Sequence, residues 1–237
     1  MHNRQDELPE KQHYDLIYLD KLAEKTAFSF LSEKYGEVKY PISTDDLTLL
    51  IEKNVDDFDL YADLKTEHGD DSIEGVTQFS PKKIPSVRIS KELSENPLMK
   101  NRLRTTLAHE LGHVIIHDPL WQKKFAQLKL DLGSSEKREQ ICKRTANYDN
   151  YNWMEWQANY FSSGLLMPIS MVMKLYEDYV VNNKIFSSMI PDDENGVKLI
   201  LSISRQFRVS KEAAKIRLLI LKCLCNPDNI SSQLSFF

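Results

Sequence analysis

Apolar residues recur along the chain first at helical spacing, then in alternation, then at helical spacing again. Tyr14 to Tyr35 carries Leu16, Leu19, Leu22 and Ala23 on one stripe and meets Gly36 at its end, which predicts a helix. Ser43-Thr44-Asp45-Asp46 is a cluster of capping residues, and it predicts a second helix through about Lys53. Phe58, Leu60 and Ala62 alternate with polar neighbours over Asp56 to Asp63, the pattern of a half-buried strand. His68-Gly69-Asp70-Asp71 reads as a turn, and Val76 to Ser80 and Ser86 to Ser90 as two more strands joined around Pro81 to Pro85.

Helical spacing returns over Arg102 to His117, which contains no Pro and one Gly and places Leu103, Leu107, Leu111 and Val114 on one face. Met154 to Phe161 is helical in pattern too, with Ala158, Phe161 and Leu165 as a packing stripe and Met167-Pro168 as a break or the first turn of a new helix. Beyond it, Pro168 to Asn183 predicts a helix and Pro191 to Gly196 a loop. Val197 to Phe207 and Ser210 to Leu224 then predict two helices around an Arg208-Val209 turn, the outline of a helix-turn-helix. The polar positions of the second helix (Lys211, Glu212, Lys215, Arg217) are mixed in sign, which favours packing or protein docking over DNA readout. Leu120 to Asn152 is uneven: a Lys-rich stretch, a Gly133-Ser134-Ser135 turn, a basic cluster of Lys137, Arg138, Lys143 and Arg144, then Tyr148, Tyr151 and Trp153. It reads equally as a lid over a cleft or as a solvated helix face.

Composition narrows the class. With 41% hydrophobic and 28% charged residues over 237 positions, the chain has the balance of a soluble globular protein. A formal net charge of −4 argues against binding nucleic acid through bulk charge. Cys142, Cys223 and Cys225 form an odd, sparse set, expected as reduced thiols in a cytoplasmic protein. Met1 to His13 has no apolar core of a signal peptide, and no run of 18 apolar residues occurs, so no membrane association is expected.

The chemistry sits in His109-Glu110-Leu111-Gly112-His113. On a helix, residues four apart share a face, so His109 and His113 can turn both imidazoles toward one metal ion. Glu110 projects beside them as a candidate general base. Zinc takes three protein ligands in catalytic sites. The best third candidate is Glu155, and Asn159, one turn further on, shares its face and can bond a ligand imidazole from behind. Zinc in such a set supplies Lewis-acid polarisation of a carbonyl and of water. His117 lies about 80° round an α-helix from His109, a poor third ligand. It reads as a helix-terminal histidine before an Asp118-Pro119 stop, with a supporting or cleft-lining role as the alternative. Tyr160, His117 and Tyr151 are candidate donors to a developing oxyanion. Strands just before the metal helix suit a zincin layout, in which an edge strand can pair with substrate backbone.

These residues carry a family resemblance. Arg102 to His113 (RLRTTLAHELGH) resembles the RxRFTxAHELGH block of the ImmA/IrrE metallopeptidases. Glu155 to Phe161 resembles that family's ExxANxFA block, Leu165 to Pro168 its LLMP ending, and Phe207 to Leu218 its FxVSxxAxxxRL tail. The resemblance runs from about Thr66 to Leu224. It implies a gluzincin-like peptidase in which His109, His113 and Glu155 bind zinc, Glu110 is the catalytic base and Asn159 supports a ligand. It also implies, as substrate, a helix-turn-helix repressor of a phage, mobile element or stress regulon. Thr105 departs from the family's Phe, Ser162-Ser163-Gly164 from a more Ala-rich stretch, and the segment between the ligand helices is long.

The expected architecture is α+β: a zincin-like core with a small antiparallel or mixed sheet and a mainly helical C-terminal part. Residues 1–13 are expected as a disordered tail, 14–170 as the peptidase domain with an insertion at about 120–152, and 171–237 as a helical region. The leading function is a zinc-dependent endopeptidase acting on such a repressor. The alternatives are a non-catalytic antirepressor that sequesters it, and a DNA-binding regulator.

Overall fold

The computed structural model describes residues 10–132, 138–143 and 153–226. The fold is α+β, with a four-stranded mixed sheet among the described residues. Two compact units interleave along the chain. The first holds residues 1–19 and 43–162, the second residues 20–42 and 163–237.

In the first unit, α2 (Thr44–Glu52) starts at the predicted capping residues, where Ser43 and Asp46 form a reciprocal capping box. It is followed by β1 (Asp57–Ala62), a short α3 (Leu64–His68), β2 (Ile73–Phe79), β3 (Ser86–Ser90) and α4 (Lys91–Glu95). A 3-10 turn (Pro97–Met99) leads into α5 (Lys100–Gly112). The helical segments α3 and α4 are not visible in the apolar pattern, because each spans barely one turn. Gly69 ends α3 in the left-handed region (φ 66°), a conformation that costs glycine nothing.

The sheet order is β1-β3-β2-β4, with β4 spanning Arg138–Lys143. β1 runs parallel to β3, and β2 is antiparallel to both β3 and β4. β2 is therefore an inner strand and is buried along nearly its whole length. Its register against β4 shifts between Ile73 and Gly75. Such an irregularity re-aims side chains. Ile73 and Val76 both join Ala62 and Leu64 in one cluster, while Glu74 and Thr77 both reach α5. Arg102 pairs with the buried Glu74, and Thr106 donates to the same carboxylate at 3.3 Å. These contacts fasten α5 to β2.

The helix does not stop at Asp118-Pro119 as expected. α5 passes into a π turn (His113–His117) and on into α6 (Asp118–Leu132). A proline has no N–H to donate to the turn before it and clashes with the carbonyl four residues back. The wider π turn lies just ahead of Pro119 and lets the helix continue. The first part of the expected insertion is thus a helix whose Trp121 and Phe125 pack with Phe79, Trp153 and Met154. β4 was not expected either. Residues 133–137 and 144–152, including Tyr148 and Tyr151, lie outside the described residues, as do residues 1–9 of the expected tail.

α1 (Leu16–Tyr35) buries Leu19, Ala23, Ala27, Phe30 and Leu31, whereas Leu16 is exposed. α7 (Trp153–Leu166) breaks before Pro168, as the pattern predicts. The second unit continues with α8 (Ile169–Asn182), α9 (Glu194–Phe207) and α10 (Lys211–Ile220). α9 begins inside the expected loop. Asp193 caps it, and a side chain at Gly196 would sit 1.9 Å from the Ile190 carbonyl. Arg208, in the left-handed region, and the capping Ser210 make the turn to α10. Arg217 is not a surface cation. It is fully buried, donating to Asp20 at 2.6 Å and to the Met167 carbonyl at 3.2 Å, which removes it from any DNA-reading face. Among the described residues no helix is long and apolar enough to cross a membrane.

Candidate metal centre

Two helices of the first unit carry the site. α5 and its π turn present His109 and His113, and the first turn of α7 presents Glu155. The helices approach closely because of a glycine. A Cβ on Gly112 would lie 3.1 Å from the Ala158 Cα and 3.2 Å from both its carbonyl oxygen and the Phe161 ring. The Ser162 hydroxyl also donates to the Thr105 carbonyl at 3.2 Å, so two of the departures from the family pattern meet at this crossing.

The approach brings three ligand atoms together. His109 Nε2 and His113 Nε2 are 3.0 Å apart, and each is 3.1 Å from an oxygen of Glu155. Of the described residues, these three alone form a cluster able to hold a metal ion, with all ligand atoms within 4.8 Å of one another. Behind His109, Asn159 Oδ1 faces Nδ1 at 3.0 Å. An amide oxygen only accepts, so the proton of His109 sits on Nδ1 and the lone pair of Nε2 points inward. Bare nitrogens and a carboxylate at such distances repel one another unless a cation lies among them. Glu155 Oε1, moreover, is buried without a hydrogen-bond partner. The donor set therefore fits a divalent metal of the zinc type.

Glu110 is fully buried beside the triad. Its Oε2 accepts a 2.5 Å bond from the Thr77 hydroxyl of β2, while Oε1 has no hydrogen-bond partner. Gly75 makes room for it, since a Cβ there would stand 2.3 Å from Oε1.

The model of the IrrE N-terminal-like domain family (Peptidase_M78) matches residues 80–219, more than half of the chain. The chain belongs to this peptidase family. No curated protein and no solved structure matches it significantly. The family match spans α5, its π turn and α7, and so both helices of the candidate centre.

The electrostatics suit the family's chemistry. Burial raises the Glu110 carboxyl to about 7, against the opposing pull of His109 and the Thr77 hydroxyl. A group poised there can both take and return a proton near neutrality. Burial works to raise Glu155, and a positive charge on His113 or His109 beside it is what holds this carboxylate below its ordinary range. Burial lowers His113, and lowers His117 well below the ordinary imidazole range. Both rings are thus neutral, as metal ligation requires of His113.

Among the other expected site residues, His117 lies inside the protein, not on a cleft wall. It is fully buried, 2.9 Å from His113 Nδ1 and 3.1 Å from Gln157 Oε1. Tyr160 is buried and packs on Trp156, with ring centroids 5.6 Å apart. It falls roughly 140° round α7 from Glu155. Tyr151 lies outside the described residues. Sequence reasoning missed Gly75, Thr77 and Gln157. The first two also precede the family-matched span. A Gly and a Thr two apart in a strand give no local hint that a carboxylate from a helix 33 residues later will rest on them.

Proposed function

We propose that the chain is a zinc-dependent endopeptidase whose substrate is a protein, namely a helix-turn-helix transcriptional repressor. The observation that carries the metal-dependent reading is the convergence of His109, His113 and Glu155 beside a buried glutamate raised to about 7. Family membership supports the peptidase class, and the repressor rests on the resemblance of the sequence blocks described above.

In this reading His109, His113 and Glu155 hold the metal, which when bound supplies Lewis-acid polarisation of the scissile carbonyl and of the attacking water. Glu110 takes a proton from that water at its free Oε1 and returns it to the leaving amine. Thr77 keeps Glu110 Oε2 occupied, so the other oxygen is the one that works. Asn159 holds His109 in the tautomer whose Nε2 is bare.

Purified protein is expected to contain about one zinc per chain. Glu110→Gln is expected to keep that zinc and to lose cleavage of the repressor-like product encoded beside its gene, with any cut mapped by mass spectrometry. Normal cleavage by Glu110→Gln would overturn the assignment of the base. Equal antirepressor activity of the two proteins without any cut would replace catalysis with sequestration.

A further inference from the structure

We propose that His117 is a positioning residue for the metal centre: through a one-way chain of hydrogen bonds from the Gln12 backbone carbonyl, it fixes His113 in the tautomer that presents a bare Nε2. The proposal rests on reading His109, His113 and Glu155 as the metal site.

The chain is determinate at each step. A backbone carbonyl only accepts, so the 2.8 Å contact at Gln12 belongs to the Gln157 Nε2 amide group. That orients the amide and leaves Gln157 Oε1, another pure acceptor, facing His117 Nε2 at 3.1 Å. His117 therefore carries its proton on Nε2. The ring is fully buried and its two hydrogen-bond partners, an amide oxygen and an imidazole, include no carboxylate to balance a charge, so it carries a single proton; its Nδ1 is bare and can only accept. It lies 2.9 Å from His113 Nδ1, which must then donate. With its proton on Nδ1, His113 turns the Nε2 lone pair toward His109 Nε2 and Glu155. Asn159 does for His109 in one step what His117, Gln157 and Gln12 do for His113 in three.

The surroundings keep water from substituting for the links between Gln157, His117 and His113. His113 and His117 are both 0% exposed, and Gln157 is 3% exposed. Trp153 meets His117 edge-on, with ring centroids 5.8 Å apart at 88°. The π turn spans the same five residues, His113 to His117, and brackets the ring pair whose centroids are 4.9 Å apart. A space-filling role would be met by any flat ring, whereas the relay requires an acceptor at the position of Nδ1.

The test compares His117→Phe, which keeps the ring and removes the acceptor, with His117→Asn, whose Oδ1 can accept near the same point. Nitrogen-15 NMR of the histidine rings in the metal-free full chain is expected to show one Nδ1–H tautomer for His113 in the native protein and in His117→Asn, and a mixture in His117→Phe. Zinc affinity by chelator competition is expected to fall about 10- to 100-fold in His117→Phe and to stay within a few-fold of native in His117→Asn. An unchanged His113 tautomer and unchanged zinc affinity in a folded His117→Phe would overturn the proposal. Should that variant not fold, Gln157→Leu frees the His117 tautomer from one step away: a mixed His113 signal supports the relay, and a single unshifted one overturns it. A native protein that takes up no zinc would defeat the metal reading, while the metal-free tautomer would still decide the relay.

Discussion

Gly112 gives the most direct test of how the metal centre is assembled. Its missing side chain lets α5 lie against the backbone of α7, and Gly112→Ala would insert a Cβ 3.1 Å from the Ala158 Cα and 3.2 Å from its carbonyl oxygen, where ordinary contact begins at 3.4 Å. The helices must therefore part by about 0.2–0.3 Å. Two energies compete. Replacing glycine by alanine inside a helix gains about 0.8–1 kcal/mol. Overpacking a tight contact costs about 1–3 kcal/mol, and here the neighbours are backbone atoms that cannot rotate away. The net is a loss of roughly 0–2 kcal/mol, or a fall of about 0–8 °C in melting midpoint for a chain of this size. The effect on metal is sharper, because ligand distances tolerate only about ±0.2 Å. The parting moves Glu155 relative to both imidazoles by that much, so zinc affinity should fall about tenfold in Gly112→Ala. A leucine at the same position, needing more than about 1 Å of extra space, should abolish stoichiometric binding. Chelator competition gives the affinity, and thermal melting of the metal-free protein gives the stability. Native zinc affinity in Gly112→Ala, together with a raised midpoint, would refute the reasoning, since helix propensity alone would then account for the change.

Gly75→Ala should leave zinc content intact and displace the Glu110 carboxylate by about 1 Å, because the new Cβ would sit 2.3 Å from Oε1. A misplacement of that size should cost about 100-fold in cleavage rate, read as kcat on the mapped substrate. Asp20→Ala should destabilise the chain by about 3–5 kcal/mol in chemical denaturation, since it leaves the fully buried Arg217 without its 2.6 Å partner. In the metal-free protein, Glu110 links stability to pH. Its folded pKa of about 7 lies above the ordinary 4.5, so its contribution is fully present below pH 4.5 and is lost as pH rises through 7, a span of about 3 kcal/mol. Glu110→Gln should flatten that part of the stability-pH curve; an unchanged slope in urea melts between pH 4.5 and 7 would contradict the assignment.

The two ligand helices were legible in the sequence because each buries a regular stripe: Leu103, Leu107 and Leu111 on α5, and Ala158, Phe161 and Leu165 on α7. A four-residue spacing of histidines has one geometric meaning on such a helix. β1 was legible from alternation, and β2 and β3 from the prolines between them, although β2 begins at Ile73, ahead of the expected Val76, because a strand buried on both faces does not alternate. What was not legible depends on contacts remote in sequence. The stop at Asp118-Pro119 was a sound local reading, overturned by a π turn that no apolar pattern announces. His117 looked peripheral for the same reason, since its partners include Gln157, 40 positions away. Arg217 looked like one more surface cation, yet its burial draws on a carboxylate 197 positions earlier and on the Met167 carbonyl. The pairing of Thr77 with Glu110 joins a strand residue to a helix residue 33 positions later, and neither marks the other.

The bond between Asp20 and Arg217 closes a loop of 197 positions. On a translating ribosome the acidic partner emerges first and waits for its cation. At about 5–20 residues per second that interval is on the order of 10–40 s. Throughout it, α1 lacks the guanidinium that neutralises its most deeply enclosed charge, so Asp20 must remain hydrated and its helix undocked. The second unit therefore completes itself only after Arg217 has been made, whereas every described side chain of the candidate metal centre has been synthesised by residue 162.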